Sequence, residues 1–172
     1  ELIEYVAESD DSLLEKFFNQ GNLSEEEMRG GIHDAIQNQV FVPLFCVSAE
    51  NNIGVARLCD FIAKYGASPD DRKTVKAINT NEDEIEVSLD GKETVIQVFK
   101  TMAESHVGEL SLFRVYSGVV STGVDLFNTN RNSSERMGQL FILNGKNRTQ
   151  VNSITAGDIG AVVKLKDTHT GN

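Results

Sequence analysis

Few side chains in this sequence stand at spacings that could carry catalysis. His33, His106 and His169 lie far apart, with neither metal-ligand spacing nor a nucleophile beside them. Cys46 and Cys59 have no CxxC spacing and no third cysteine to join them. Neither a zinc site nor a disulfide framework is signalled, and two buried, reduced thiols are the expectation. No GxxxxGK[ST] phosphate loop and no Asn-Lys-x-Asp signature occurs. Phosphoryl transfer needs a phosphate cradle, a magnesium site and a positioned water. These residues alone are therefore not expected to hydrolyse a nucleotide, and no catalytic or metal-binding residue is assigned.

What remains are charged surfaces. The 172 residues carry a net charge of −10, distributed unevenly. Residues 1–70 hold 13 acidic and 4 basic side chains, whereas residues 98–172 hold 6 acidic and 8 basic. The acidic part argues against nucleic-acid binding there and suits a basic protein partner. Its acids are Glu4, Glu8, Asp10, Asp11, Glu15 and the run Glu25–Glu27. They read either as a docking surface or as a solvated face with helix-start acids favoured by the dipole. In the second part, Arg114, Arg131, Arg136, Lys146 and Arg148 could meet phosphates or simply furnish ordinary surface charge.

The elements that position these residues fall into two textures. Leu2, Ile3, Val6, Leu13, Leu14, Phe17 and Phe18 recur at helical spacing up to Gly21. Ser24 and Glu27 offer a capping box, Leu23 and Met28 a hydrophobic staple, and Ile32, Ala35 and Ile36 continue the stripe. Val40–Val47 is a nearly unbroken apolar run, as in a strand covered on both faces. Such a strand needs parallel neighbours that this chain does not contain. A helix follows on Val55, Leu58, Phe61, Ile62 and Tyr65, ended by Gly66 and Pro69. Residues 70–83 are polar without period and read as a linker. Ile85, Val87 and Leu89 then alternate, and Asp90-Gly91 predicts a hairpin back through Thr94–Lys100. Further strands are expected at 109–116, 124–128, 137–143, 149–154 and 159–165, a pattern that argues for a closed or nearly closed β-barrel. No apolar stretch reaches the roughly 18 residues of a bilayer span. The opening at Glu1, inside a helical pattern, reads as an internal piece of something longer.

Several blocks resemble a known family. LIEYVAESDDSLLEKFF, LSEEEMRGGIHDAI and VPLFCVSAENNIGVARLCDFIAKYGASP are similar to the end of the G-domain insertion and the last strand and helix of the G domain in bacterial translation elongation factor G. FKTMAESHVGELSLFRVYSGVVSTG and AGDIGAVVKLKDTHTG resemble the start and end of that factor's second domain. Cys46-Val47-Ser48-Ala49-Glu50 and Glu104-Ser105-His106-Val107-Gly108 depart from the usual family pattern, as in a diverged paralogue.

The resemblance implies an α/β remnant of a P-loop GTPase domain, helices plus one buried strand, over residues 1–69. It implies a linker at 70–83 and an all-β translation-factor barrel, domain II, over 84–172. Ser48 and Ala49 would be the remnant of a guanine motif, with loop amides reaching the guanine carbonyl oxygen; read alone, Ser48 or Asn52 is an ordinary helix-capping residue. Glu8, Asp11 and Glu15 would face the ribosomal stalk protein, and Arg114, Arg136 and Arg148 the small-subunit ribosomal RNA. The parent would be a cytoplasmic GTPase that uses GTP and Mg2+ on the ribosome and drives tRNA–mRNA translocation, with neither DNA nor membrane as partner. The alternatives are a ribosomal protection-type factor or a ribosome-docking paralogue with weak or no turnover. The first of these generally lacks the insertion that residues 1–38 resemble.

Overall fold

Capping side chains set the helix boundaries in the first part of the chain. In the computed structural model, which describes residues 2–40, 42–79, 81, 83–104 and 108–172, α1 spans Leu2–Ala7 and α2 spans Asp11–Gln20. The single apolar stripe from Leu2 to Phe18 is thus two helices. Asp10 divides them, because its carboxylate accepts hydrogen bonds from the amides of Ser12 (2.9 Å) and Leu13 (3.1 Å) and so starts a new helix. α3, Glu25–Gln37, opens on the capping box: the Glu27 amide donates to Ser24 Oγ at 3.3 Å, and the Ser24 amide donates to the Glu27 carboxylate at 2.9 Å. Leu23 is buried and Met28 packs against the same cluster, as a staple requires.

These three helices bury Val6, Ala7, Leu23 and Ile32, with Leu13, Phe17 and Ile36 packed around them. Their close approach rests on Gly31. A Cβ at that position would collide with Val6 Cγ1 and stand 2.9 Å from Leu13 Cδ1.

The buried strand expected at 40–47 does not form. Residues 42–47 make no ladder, and Val42 and Leu44 are 87% and 91% exposed; Phe41 lies outside the described residues. A strand exists only through its hydrogen-bonded neighbour, and among the described residues nothing pairs with this segment until Ser48 bridges Ile53. Phe45 alone finds an aromatic partner, its ring centroid 4.7 Å from that of Phe61 on α4, Val55–Tyr65. Cys46, in this segment, and Cys59, on α4, are both exposed, not buried as expected.

The chain divides into two compact units, Glu1–Ser68 and Pro69–Asn172, and the second is rich in β structure. The segment read as a linker contains a 3-10 turn, Pro69–Asp71, and strand β1, Thr74–Ile78. Strand β1 pairs antiparallel with β2, Glu84–Ser88. The Asp90-Gly91 turn does not close a hairpin between β2 and β3, Val95–Glu104: β2 pairs with β1, and β3 pairs instead with the strand that follows it.

The remaining strands are β4 (Gly108–Ser117), β5 (Val119–Ser121), β6 (Asp125–Asn128), β7 (Ser133–Arg136), β8 (Leu140–Asn144), β9 (Asn147–Val151), β10 (Ser153–Thr155) and β11 (Ile159–Val163). They form a five-stranded antiparallel sheet in the order β3-β4-β11-β8-β9 and two ribbons, β5–β10 and β6–β7. Val98, Phe113, Val115, Met137, Leu140 and Val162 are central members of one core. The run expected at 149–154 is split between β9 and β10, which pair with different partners. β8 and β9 are joined by the two-residue loop Gly145-Lys146, with Asn144 opposite Asn147 and Gly145 at φ +59°, as a type II′ turn requires of its first loop residue.

Candidate functional site

The Ser48–Ala49 loop is held by its own ends. Ser48 N–H donates to Ile53 O at 3.0 Å, Ile53 N–H returns a bond to Ser48 O at 2.9 Å, and Asn52 N–H donates to Ala49 O at 3.2 Å. Asn51 Nδ2 donates to Ser48 Oγ at 3.0 Å. Asn52 and Gly54 take positive φ to complete the turn, and Gly54 enters α4 without a side-chain cap. Helix capping by Ser48 or Asn52 is thus not what this loop does. Ser48 spends its amide inside the turn, whereas the Ala49 amide donates to no backbone carbonyl among the described residues. Ala49 is exposed. A hydrogen-bond donor is therefore available at the loop, on the backbone of Ala49. Toward a guanine nucleotide this loop offers that one amide. No phosphate loop exists in this sequence to hold phosphates or Mg2+.

Glu8, Asp11 and Glu15 are all exposed. Glu8 sits in the turn after α1, while Asp11 and Glu15 lie one helical turn apart on α2 and share a face. Of the Glu25–Glu27 run, Glu27 has a structural task. Lys16 of α2 pairs with it, and together with the Ser24 amide and hydroxyl it lowers the carboxyl to about 2.

The arginines separate. Arg114 on β4 stands opposite Gln97 of β3 and Ile159 of β11. Ala161 continues that face to Phe141 on β8, which opposes Gln150 on β9; Arg148, two residues away, therefore lies on the same face as Arg114. Three strand spacings separate the two, about 14 Å. This is the face opposite Phe113, Leu140 and Val162 of the core. Lys100, opposite Leu112, adds a third cation that the sequence did not single out, because an irregularity between Val98 and Lys100 shifts the alternation of β3. The Arg114 guanidinium lies 5.2 Å from the centre of the Tyr116 ring, and Tyr116 Oη donates to Gln97 Oε1 at 3.4 Å. Arg136 does not join them; it sits on the β6–β7 ribbon, 3.7 Å from Asp125.

Sequence reasoning missed a buried polar network. Glu135, on β7, accepts hydrogen bonds from the amides of Lys166 (3.1 Å) and Asp167 (2.6 Å) and from Thr168 Oγ1 (3.2 Å). Asn128 Nδ2 donates to Thr168 Oγ1 at 2.8 Å, and Asn128 Oδ1 accepts from the amides of Asn130 and Arg131. Burial pushes the Glu135 carboxyl up, but the two amides and the Thr168 hydroxyl outweigh it and hold it below the usual range. No signal in the sequence marked it, because Ser133–Arg136 has no apolar alternation and Glu135 reads there as an ordinary surface acid. Next to it is a cavity of about 70 Å³, lined in part by Val98, Phe127, Met137 and Leu165. The Glu135 carboxylate and the Asn128 amide group at its wall already have protein partners. His169 Nδ1 lies 3.4 Å from Glu109 Oε1 and His33 bonds Gln37, so both have local structural partners; His106 lies outside the described residues.

Residues 93–172 match the family model described as elongation factor G domain 2. The chain is also similar to the crystal structure of a protein from Thermus thermophilus, with a TM-score of 0.74 and 24% identity; the match covers 98% of this chain and 23% of that one. At that identity the likeness is one of fold. The chain spans about a quarter of the length of that relative. The second unit, over all but its first two strands, thus matches the second domain of elongation factor G, while for the chain as a whole the likeness is one of fold.

Proposed function

We propose that this chain belongs to a ribosome-dependent translational GTPase that promotes tRNA–mRNA translocation in the cytoplasm. The observation that carries the reading is the match of residues 93–172 to the factor's second domain. In this reading the second unit is a translation-factor β-barrel, and residues 1–69 are the end of a P-loop G domain with part of its insertion. The unpaired segment 42–47 supports it, since a run of six apolar residues, five of them exposed, with no ladder is what the last strand of a larger sheet leaves when its neighbours are not in the chain.

The Ala49 amide would meet the guanine oxygen, with GTP and Mg2+ held otherwise by the parent's phosphate loop. Arg114 and Arg148 would face small-subunit ribosomal RNA, supplying affinity with little sequence choice. Glu8, Asp11 and Glu15 would steer the stalk protein. Arg136, on a separate ribbon, is the weakest of the three arginine candidates.

The test is GTP hydrolysis by the full-length protein with and without ribosomes, together with a translocation assay. Ribosome-stimulated turnover with translocation supports the reading. Ribosome binding without turnover would replace it with a docking paralogue, and turnover that releases a bound antibiotic without translocation would replace it with a protection-type factor.

A further inference from the structure

The β8–β9 hairpin holds the only asparagine in the sequence that is followed by glycine, Asn144-Gly145. We propose that Asn144 is a site of spontaneous deamidation in the folded protein, which turns a neutral residue of this basic hairpin into a carboxylate. The reaction is an attack by the backbone nitrogen of residue i+1, after loss of its proton, on the side-chain amide carbon of residue i. The new N–C bond closes a five-membered succinimide, and the side-chain nitrogen leaves as ammonia carrying the transferred proton. Water then opens the ring at either carbonyl, giving aspartate or isoaspartate. No oxidant, enzyme or metal is required.

Three features of the hairpin leave this path open. Asn144 and Gly145 are both exposed, so water reaches the amide and the departing ammonia. In a two-residue hairpin the ladder ends at the Asn144–Asn147 pair, and the Gly145 N–H donates to no backbone carbonyl among the described residues. The nucleophile is thus not tied up in the sheet. Gly145 has no Cβ to shield its nitrogen, and nothing stands within 4 Å of where one would be, so the nitrogen is unhindered on its own residue's side.

The other asparagines lack this combination. Asn128 is buried with both ends of its amide engaged, and Asn51, Asn79 and Asn147 precede bulkier residues. The product has local consequences on charge and register. Lys146 and Arg148 are the hairpin's cations, and a carboxylate at 144 halves their net charge. Isoaspartate lengthens the backbone by one methylene at the last pair of the β8–β9 ladder.

The experiment is peptide mapping by mass spectrometry of the folded protein, held at physiological temperature and mildly alkaline pH, with the same protein in urea and an Asn144→Gln variant alongside. The expected result is that the peptide containing 144–145 exchanges NH2 for OH ahead of every other asparagine peptide, in folded as well as unfolded protein, and that N144Q abolishes the early change. Loss of the amide only in urea would overturn the proposal, because it would mean that the native turn protects Asn144. An unchanged early mass gain in N144Q would overturn it as well.

Discussion

Removing the Glu135 carboxylate tests whether a single buried acid holds the loop that follows the last strand. Its oxygens accept from three donors, the Lys166 and Asp167 amides and the Thr168 hydroxyl. Replacing Glu135 by Ala leaves all three without that acceptor. Hydrogen bonds to an ionised group are worth about 1.5–3 kcal/mol each. Lys166 and Asp167 are exposed residues whose amides recover water in part, so about 1 kcal/mol per donor is the safer figure and about 3 kcal/mol the expected loss. Glu135→Gln keeps an acceptor at one oxygen position but sets an NH2 group against the Lys166 amide at the other, and should cost about 1–2 kcal/mol.

The assay is urea and thermal unfolding. About 3 kcal/mol in a unit of this size corresponds to a fall in Tm of roughly 12 °C or more. The sign of the pH dependence follows from the lowered carboxyl. Glu135 contributes stability that is fully present above its ordinary value of 4.5 and is lost as the pH falls through the lower folded value. The gap between wild type and E135Q should therefore be flat near neutrality and close in acid. A Glu135→Ala protein within about 0.5 kcal/mol of wild type would refute the assignment, since three donors, one of them the buried Thr168 hydroxyl, cannot lose a shared ionised acceptor at that cost.

Other consequences are open to direct measurement. Gly30 and Gly31 are neighbours in α3 with opposite surroundings: nothing lies within 4 Å of a Cβ at Gly30, whereas one at Gly31 meets Val6 and Leu13. Gly30→Ala should stabilise the helical unit by about 0.5–1 kcal/mol, and Gly31→Ala should destabilise it by about 1–3 kcal/mol, both read from thermal unfolding. The Glu27 carboxyl should titrate near 2 by NMR, and Lys16→Met should bring it back towards the usual range; a midpoint unmoved by that change would assign the shift to the capping box alone. Reversing charge at Glu8 and Glu15, both exposed, should weaken binding of the stalk protein with little change in Tm, and unaltered binding at low salt would remove these residues from the interface.

Much of the helical architecture was written in short-range chemistry. The capping box of Ser24 and Glu27 and the Leu23–Met28 staple act within one turn of chain, and the structure contains them as read. The strands at 109–116, 124–128 and 159–165 were likewise evident to within a few residues, because alternation and glycine turns are local signals. Asp10 was a local signal too, but its capping role was hidden by an apolar stripe that continued on both sides of it.

Tertiary structure decided what depends on partners distant in sequence. An apolar run at 40–47 has strand composition, yet whether it becomes a strand is settled by a neighbour to bond with, and none lies among the described residues. Asp90-Gly91 has hairpin chemistry, but the strands on its two sides belong to different sheets, β2 with β1 and β3 with β4. The grouping of Arg114 with Arg148, and the exclusion of Arg136, follows from register across four strands, which no spacing along the chain encodes. Glu135 looked like any surface acid until the loop at 166–168 folded over it. Composition and periodicity fix what a segment can do with its nearest residues; which edge it bonds to, which face it shares and which charge it buries are properties of the assembled sheet.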